Sequence, residues 1–301
     1  MQLGMIGLGR MGANMTTRLL RGGHDLVVYD RSPEAVQTAT DGGARGTTSV
    51  ADLVGELAAP RAVWVMVPSG PPTEETIESL ADMLSQGDTV IDGGNSNYKD
   101  SVRHGEALTR RGLHFVDVGT SGGVWGLKEG YSLMIGGADE PVEQLRPLFQ
   151  TLAPEADAGW GHVGPSGSGH FAKMIHNGIE YGMMQALAEG FGILKKKEEF
   201  ALDLHQIAES WRRGSVVRSW LLDLTAATLG EDQELADIAP YVSDSGEGRW
   251  TVAEAIELDV PAPVITHSLI ARLRSRDEIS FPDRLLSAMR NQFGGHAVKK
   301  S

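Results

Sequence analysis

Short apolar runs alternate with polar, helix-forming stretches through the first half of the chain. Residues 2–7, 26–29, 62–67, 89–92, 113–118 and 131–135 read as strands. Between and after them 13–20, 49–57, 73–84, 97–111 and 141–152 read as helices. Strand-helix alternation of this kind builds a doubly wound, mostly parallel sheet, the α/β Rossmann-type architecture. From residue 166 onward the pattern turns helical, with 203–211, 219–229, 250–258 and 263–273 as the pieces after one much longer run. Two domains follow: an α/β domain over 1–163 and an all-α helical domain over 164–301.

The long run begins after the small residues 165–169 and meets no proline before the lysines at 195–197, so one helix is expected. Lys173 and Glu180 lie seven positions apart on it, which brings them to within about 20° of one line and about 10 Å along the axis. His176 and Asn177 fall between them and Tyr181 follows. One stripe therefore carries an amine, an imidazole, an amide, a carboxyl and a phenol. Phe171, Met174, Ile175, Ile179, Met183, Met184 and Leu187 flank it and are expected to bury most of the helix. Polar groups in such a place need partners, because unpaired burial costs several kcal/mol each; the plain alternative is a solvated face.

Several strand ends carry candidate chemistry. The loop Gly7, Leu8, Gly9, Arg10, Met11, Gly12 has the GxGxxG spacing between a strand and a helix. There Gly7 permits the tight turn, Gly9 admits a pyrophosphate to the backbone, and Gly12 lets helix and strand pack closely. Asp30, followed by Arg31 and Ser32, closes the second strand; a carboxylate there accepts from the adenosine ribose and repels a 2′-phosphate, favouring NAD over a weaker NADP. Arg31 complicates this, since a guanidinium can stack on adenine or pair with a phosphate. Val67, Pro68 and Ser69 end the next strand, and Gly93-Gly94-Asn95-Ser96-Asn97 the one after, either as a ligand contact at Asn95 or as turn chemistry alone. Ser121, Gly122 and Gly123 end another. In the second half, Arg272 sits on an apolar helical stretch and wants an anion or a surface ion pair. Arg290 and His296 lie in the tail, where Phe293 is an apolar anchor for docking.

Composition narrows the classes. With 41% hydrophobic and 22% charged residues the chain is an ordinary soluble type. The absence of cysteine excludes disulfides and thiol catalysis. The nine histidines show no metal spacing, so no metal is expected. A formal charge of −13 argues against nucleic-acid and membrane partners, and the chain starts directly on a strand, so a cytoplasmic location is expected.

The motifs GLGRMGANM at 7–15, IDGGNSN at 91–97, GTSGGVWG at 119–126, GHFAKMIHNGIEYGMMQ at 169–185, GRWT at 248–251 and RNQFGGH at 290–296 together resemble the decarboxylating 6-phosphogluconate dehydrogenases, within the β-hydroxyacid dehydrogenase superfamily. The resemblance covers nearly the whole chain. It implies oxidation of 6-phosphogluconate to ribulose 5-phosphate and CO2, with Lys173 as general base and Glu180 as general acid. It implies that Asn95, Ser121, Gly122, Gly123, His176, Asn177, Tyr181 and Arg272 contact the sugar acid phosphate. It also implies a homo-oligomer in which Arg290 and His296 complete a neighbouring subunit's site. Longer members carry a second helical repeat that this chain lacks, so it resembles the short form often linked to NAD. Where long members place a lysine and a threonine on the phosphate, this chain has Ser245 and Glu247, leaving the phosphate to Arg272, Arg290 and His296. The alternatives are a dehydrogenase of an unphosphorylated acid such as 3-hydroxyisobutyrate, and a non-catalytic NAD(H) sensor.

Overall fold

The computed structural model describes residues 1–277, 280–294 and 299, and the chain divides into two compact units, Met1–His176 and Asn177–Ser301. In the first unit, β1 (Gln2–Ile6) leads to α1 (Arg10–Arg21), β2 (Asp25–Tyr29), α2 (Pro33–Asp41), β3 (Arg45–Gly46), α3 (Val50–Glu56) and β4 (Ala62–Val65). Then come α4 (Pro71–Met83), β5 (Thr89–Asp92), α5 (Tyr98–Arg110), β6 (His114–Ser121), the short α6 (Gly126–Glu129), β7 (Ser132–Gly137), α7 (Asp139–Leu152) and β8 (Trp160–Gly164). The strands form one eight-stranded sheet in the order β3-β2-β1-β4-β5-β6-β7-β8. All neighbours are parallel except β6 and β7, which run antiparallel.

Alternate side chains along each strand feed two separate cores, as a period of two requires. Leu26 and Val28 join Leu3, Met5, Trp64, Val116 and Phe149 on one face. Val27 joins Ile6, Val63, Val65, Val90 and Phe115 on the other, against Leu53, Ile77 and Leu108 from the helices. Burial on both faces is why these strands are almost uniformly apolar.

The helix α8 (Ser168–Lys196) spans 29 residues and passes from the first unit into the second. The domain boundary expected at 163/164 lies before this helix, whereas the two compact units part within it. The second unit continues with α9 (Leu204–Arg212), α10 (Trp220–Glu231), α11 (Glu247–Glu257), α12 (Pro263–Arg274) and α13 (Phe281–Gly294). Phe191 of α8 packs with Leu204, Ala208, Leu222, Ala226 and Leu229 in a third core.

The expected burial of α8 is corrected. His170, Lys173, Met174, Asn177 and Tyr181 are buried, so its polar stripe is the covered side, while Ile179 and Met183 are 50% and 43% exposed. Arg290, expected in the C-terminal tail, lies within the helix α13, because nothing between Phe281 and Gly294 interrupts a helix after its opening Phe-Pro. His296 lies outside the described residues. Among the described residues no helix is long and apolar enough to cross a membrane.

Candidate active site

The glycine loop takes the form its spacing requires. Gly7 has a φ of +96°, and a Cβ there would stand 2.5 Å from the Met66 carbonyl oxygen. A Cβ on Gly12 would stand 2.0 Å from the Gly7 carbonyl oxygen, so strand and helix meet with no room for a side chain. Gly9 differs: a Cβ there would meet nothing within 4 Å. That open space lies at the N-terminus of α1, whose first turn carries no acid and no side-chain cap, and it fits a phosphate group. Arg10 is exposed beside it and Met11 packs on the core below.

Asp30 joins this loop to the end of β2. One carboxylate oxygen accepts from Leu8 N at 2.6 Å and the other from Ser32 N at 2.7 Å. Ser32 in turn caps α2, accepting from Ala35 N, and Arg31 is exposed. At the end of β4, Val67 is half-buried and Pro68 and Ser69 are exposed, with Thr73 Oγ1 donating to the Pro68 carbonyl at 2.9 Å. Local turn chemistry accounts for much of the loop after β5. Gly94 N donates to Asp92 Oδ1, and Asn97 caps α5 by accepting from Lys99 N. Asn95 is left exposed at the strand end.

After β6, Gly122 (φ +136°) and Gly123 (φ +52°) turn the chain around the buried ring of Tyr131. A Cβ on Gly126 would fall 1.9 Å from that ring. Burial pushes the Tyr131 phenol up to about 12, so the ring is a neutral floor under this segment. Ser121 is half-buried.

Lys173 reaches the same strand. A Cβ on Gly119 would lie 2.4 Å from Lys173 Cβ and 2.7 Å from the Gly169 carbonyl oxygen, so α8 lies directly on β6 because residue 119 has no side chain. Asp117, fully buried in β6, fixes the start of the helix by accepting from Gly167 N at 2.6 Å and His170 N at 2.8 Å. His170 also makes a 2.7 Å hydrogen bond with Ser101 Oγ. Lys173 is 8% exposed. Asp117 and Gly119 were not among the expected site residues. An acid inside the buried run His-Phe-Val-Asp-Val was the available signal, since such a carboxylate demands donors.

In the second unit Asn177 and Tyr181 are buried on α8 and Glu180 is half-buried. Arg272 makes no ion pair among the described residues: its guanidinium carbon lies 3.4 Å from the centroid of the Tyr181 ring, and Nη1 donates to the Ser243 carbonyl at 3.1 Å. Tyr181 Oη accepts from Ser245 N at 3.3 Å, and Ser245 Oγ donates to Glu247 at 2.5 Å. His176 is half-buried on the last turn of the first unit, and Arg290 is exposed on α13.

The first unit thus brings the glycine loop, Asp30, the loops at 67–69, 95 and 121–123, and Lys173 to the carboxyl ends of the parallel strands of one sheet, where such folds bind their ligands. A glycine loop with an open phosphate cradle and an acid on the second strand, in a chain that continues into a helical second unit, fit the class of Rossmann-type, dinucleotide-dependent oxidoreductases. Residues 2–161 match the NAD binding domain of 6-phosphogluconate dehydrogenase, and residues 169–280 match the 6-phosphogluconate dehydrogenase C-terminal domain. The chain belongs to the 6-phosphogluconate dehydrogenase family.

It is 44% identical over 301 residues to the NAD(+)-dependent, decarboxylating 6-phosphogluconate dehydrogenase of Haloferax volcanii, covering 100% of this chain and 99% of that one. To the NADP(+)-dependent, decarboxylating enzyme of Bacillus subtilis it is 38% identical over 287 residues, covering 91% of this chain but 61% of the relative. The solved 6-phosphogluconate dehydrogenase of Plasmodium falciparum superposes with a TM-score of 0.84 at 28% identity, over 100% of this chain and 66% of that one. The 3-hydroxyisobutyrate dehydrogenase of Mycobacterium tuberculosis, at a TM-score of 0.74 and 21% identity over 92% of this chain and 94% of that one, shares the fold.

Proposed function

We propose that the chain oxidises and decarboxylates 6-phosphogluconate to ribulose 5-phosphate and CO2, with NAD as acceptor and NADP as a weaker one. The observation that carries this is Lys173, buried on α8 directly over Gly119 near the end of β6, on the same edge as the glycine loop. Gly7, Gly9, Gly12 and the backbone from Leu8 to Met11 would hold the pyrophosphate. Asp30, with Arg31 and Ser32 beside it, would hold the adenosine ribose, and Val67, Pro68, Ser69 and Asn95 the nicotinamide half. The carboxylate of Asp30 disfavours a 2′-phosphate, and the Haloferax volcanii relative is named as NAD(+)-dependent. The bound nicotinamide supplies the hydride acceptor.

Neutral Lys173 takes the proton of the substrate's C3 hydroxyl as C3 is oxidised. The new ketone lies β to the carboxylate, so CO2 departs with its bonding electrons delocalised into that carbonyl. Lys173, now an ammonium, donates its proton to the developing oxyanion. Glu180, seven residues further along α8, delivers a proton to the enediol at what becomes C1 of the product, while Lys173, neutral again, takes the hydroxyl proton from C2 as the ketone forms. Asn95, Ser121, Gly122, Gly123, His176, Asn177, Tyr181 and Arg272 orient the sugar acid. Arg290 and His296 act on a neighbouring subunit's site, so the enzyme works as a homo-oligomer. Residues 1–163 serve the dinucleotide, and 164–301 the substrate and the assembly.

One series tests this reading: initial rates with 6-phosphogluconate and with gluconate, each with NAD and with NADP, beside light scattering for the mass. Turnover is expected with 6-phosphogluconate, at a kcat/KM about tenfold or more higher with NAD, the equivalent of about 1.4 kcal/mol. Preference for gluconate or NADP, or a monomeric active species, would contradict it.

A further inference from the structure

The loop that precedes α11 is tied at each of its residues. Val242 N donates to Ser275 Oγ and its carbonyl accepts from Arg276 Nε, both at 2.9 Å. The Ser243 carbonyl accepts from Arg272. Asp244 accepts from Gly246 N at 3.0 Å and pairs with Arg249 at 3.2 Å and Arg276 at 2.7 Å. These contacts settle the loop and leave Ser245 and Glu247 to be explained.

Glu247 is 3% exposed at the start of α11, and its carboxylate accepts the Ser245 hydroxyl proton at 2.5 Å. With that proton committed, Ser245 turns its backbone N–H to Tyr181 Oη at 3.3 Å, while the two hydroxyl oxygens stand 3.5 Å apart, too far for a firm bond. The phenol oxygen therefore accepts one protein N–H, and its own proton, which faces Ser245 Oγ across only that long contact, can turn to a ligand. Arg272 lies flat on the same ring and spends one N–H on Ser243, so further guanidinium donors remain. A phenol proton and a guanidinium fork side by side form a donor pair suited to an anion. A carboxylate facing that anion directly would repel it. Glu247 is buried and bonded to Ser245, and reaches the site only through the serine.

We infer that Ser245 and Glu247 are positioning residues for the anionic group of the substrate, acting through Tyr181 and Arg272. This rests on the proposed reaction, in which the anion belongs to the sugar acid phosphate. The Glu247 carboxylate orients the serine, the serine presents its N–H to the phenol, and the loop carries the Ser243 carbonyl that holds Arg272 on the ring.

The experiment is a double-variant cycle with 6-phosphogluconate and saturating NAD. Ser245→Ala, at an exposed position, removes the hydroxyl and keeps the N–H. It is expected to raise the KM for the sugar acid about tenfold, the size of one lost hydrogen bond. The fall in kcat is smaller, and the KM for NAD is unchanged. Ser245→Thr, which keeps a hydroxyl, restores most of the loss. In a Tyr181→Phe background the same alanine changes KM by less than about twofold, because the group it acts through has lost its hydroxyl. An unchanged KM in Ser245→Ala, or losses that multiply in the double variant, would overturn the inference and leave the proposed reaction standing. Inactivity of the unaltered protein on 6-phosphogluconate would remove both.

Discussion

Residue 119 illustrates how much of the site depends on the absence of atoms. Lys173 reaches the end of β6 because Gly119, Gly136 and Gly169 let helix and strands meet backbone to backbone: a Cβ on Gly169 would lie 2.5 Å from the Met134 carbonyl oxygen, and one on Gly136 would lie 2.8 Å from Gly169 N. Gly119→Ala must therefore move α8 off the strand and the amine with it. A misplacement of about 1 Å can cost about a hundredfold in rate. The variant is expected to lose kcat on that order while its Kd for NADH, measured by fluorescence titration, stays within about threefold, since the Gly7 to Gly12 loop is untouched. A full-rate variant would dissociate Lys173 from the chemistry. Residues whose conformational role follows from local spacing were legible in the sequence, Gly7 and Gly12 among them. Gly119 and Asp117 were not, because their function is a contact with a helix some fifty positions later in the chain.

Among the elements, α4 and α5 are joined by a cluster that the strand-helix pattern does not announce. Arg103 grips Glu74 through two 2.6 Å hydrogen bonds, and His104 Nε2 lies 2.8 Å from the same carboxylate. The Arg103 guanidinium chiefly, with His104 adding to it, holds the Glu74 carboxyl down from 4.5 to about 2 against the opposing effect of burial. A carboxyl depressed in the folded state stabilises the fold above its unfolded value of about 4.5, and this contribution is lost as pH falls from there towards about 2. Glu74→Gln is expected to melt a few degrees lower than the unaltered protein at pH 7, with the gap closing through that acid window. A gap that is constant with pH in thermal denaturation would contradict it. Long periodic elements were readable, as α8 shows by its lack of any internal proline. Elements with a small or short apolar face were not: α2 packs only the half-buried Ala35, Val36 and Ala39 on the core and β3 is two residues long. The burial of α8 was misjudged for a related reason. Apolar spacing marks a face that can be covered, and Ile179 and Met183 show that it need not be covered within one chain.

At the scale of the whole molecule, the net charge of −13 means that in the proposed reaction an anionic sugar acid and a dinucleotide would be drawn in only by local cations and backbone donors, such as Arg272 and the N-terminus of α1 would supply. α13 adds to this picture: Phe281, Leu285, Leu286 and Met289 are exposed along it, while Arg274 holds its first turn through Ser280 and Asp283. The mostly parallel sheet and the helical second half were legible because their periods differ. In the proposed reaction α8 carries both proton-transfer groups, Lys173 in the first compact unit and Glu180 in the second. Rapid-mixing records of NADH and CO2 formation from 6-phosphogluconate, taken for Lys173→Met and Glu180→Gln, test it most directly. The account predicts that Lys173→Met loses both signals by about a thousandfold while still binding NADH, and that Glu180→Gln keeps a first-turnover burst of NADH and CO2 but turns over slowly thereafter. Near-normal rates in Lys173→Met would contradict it.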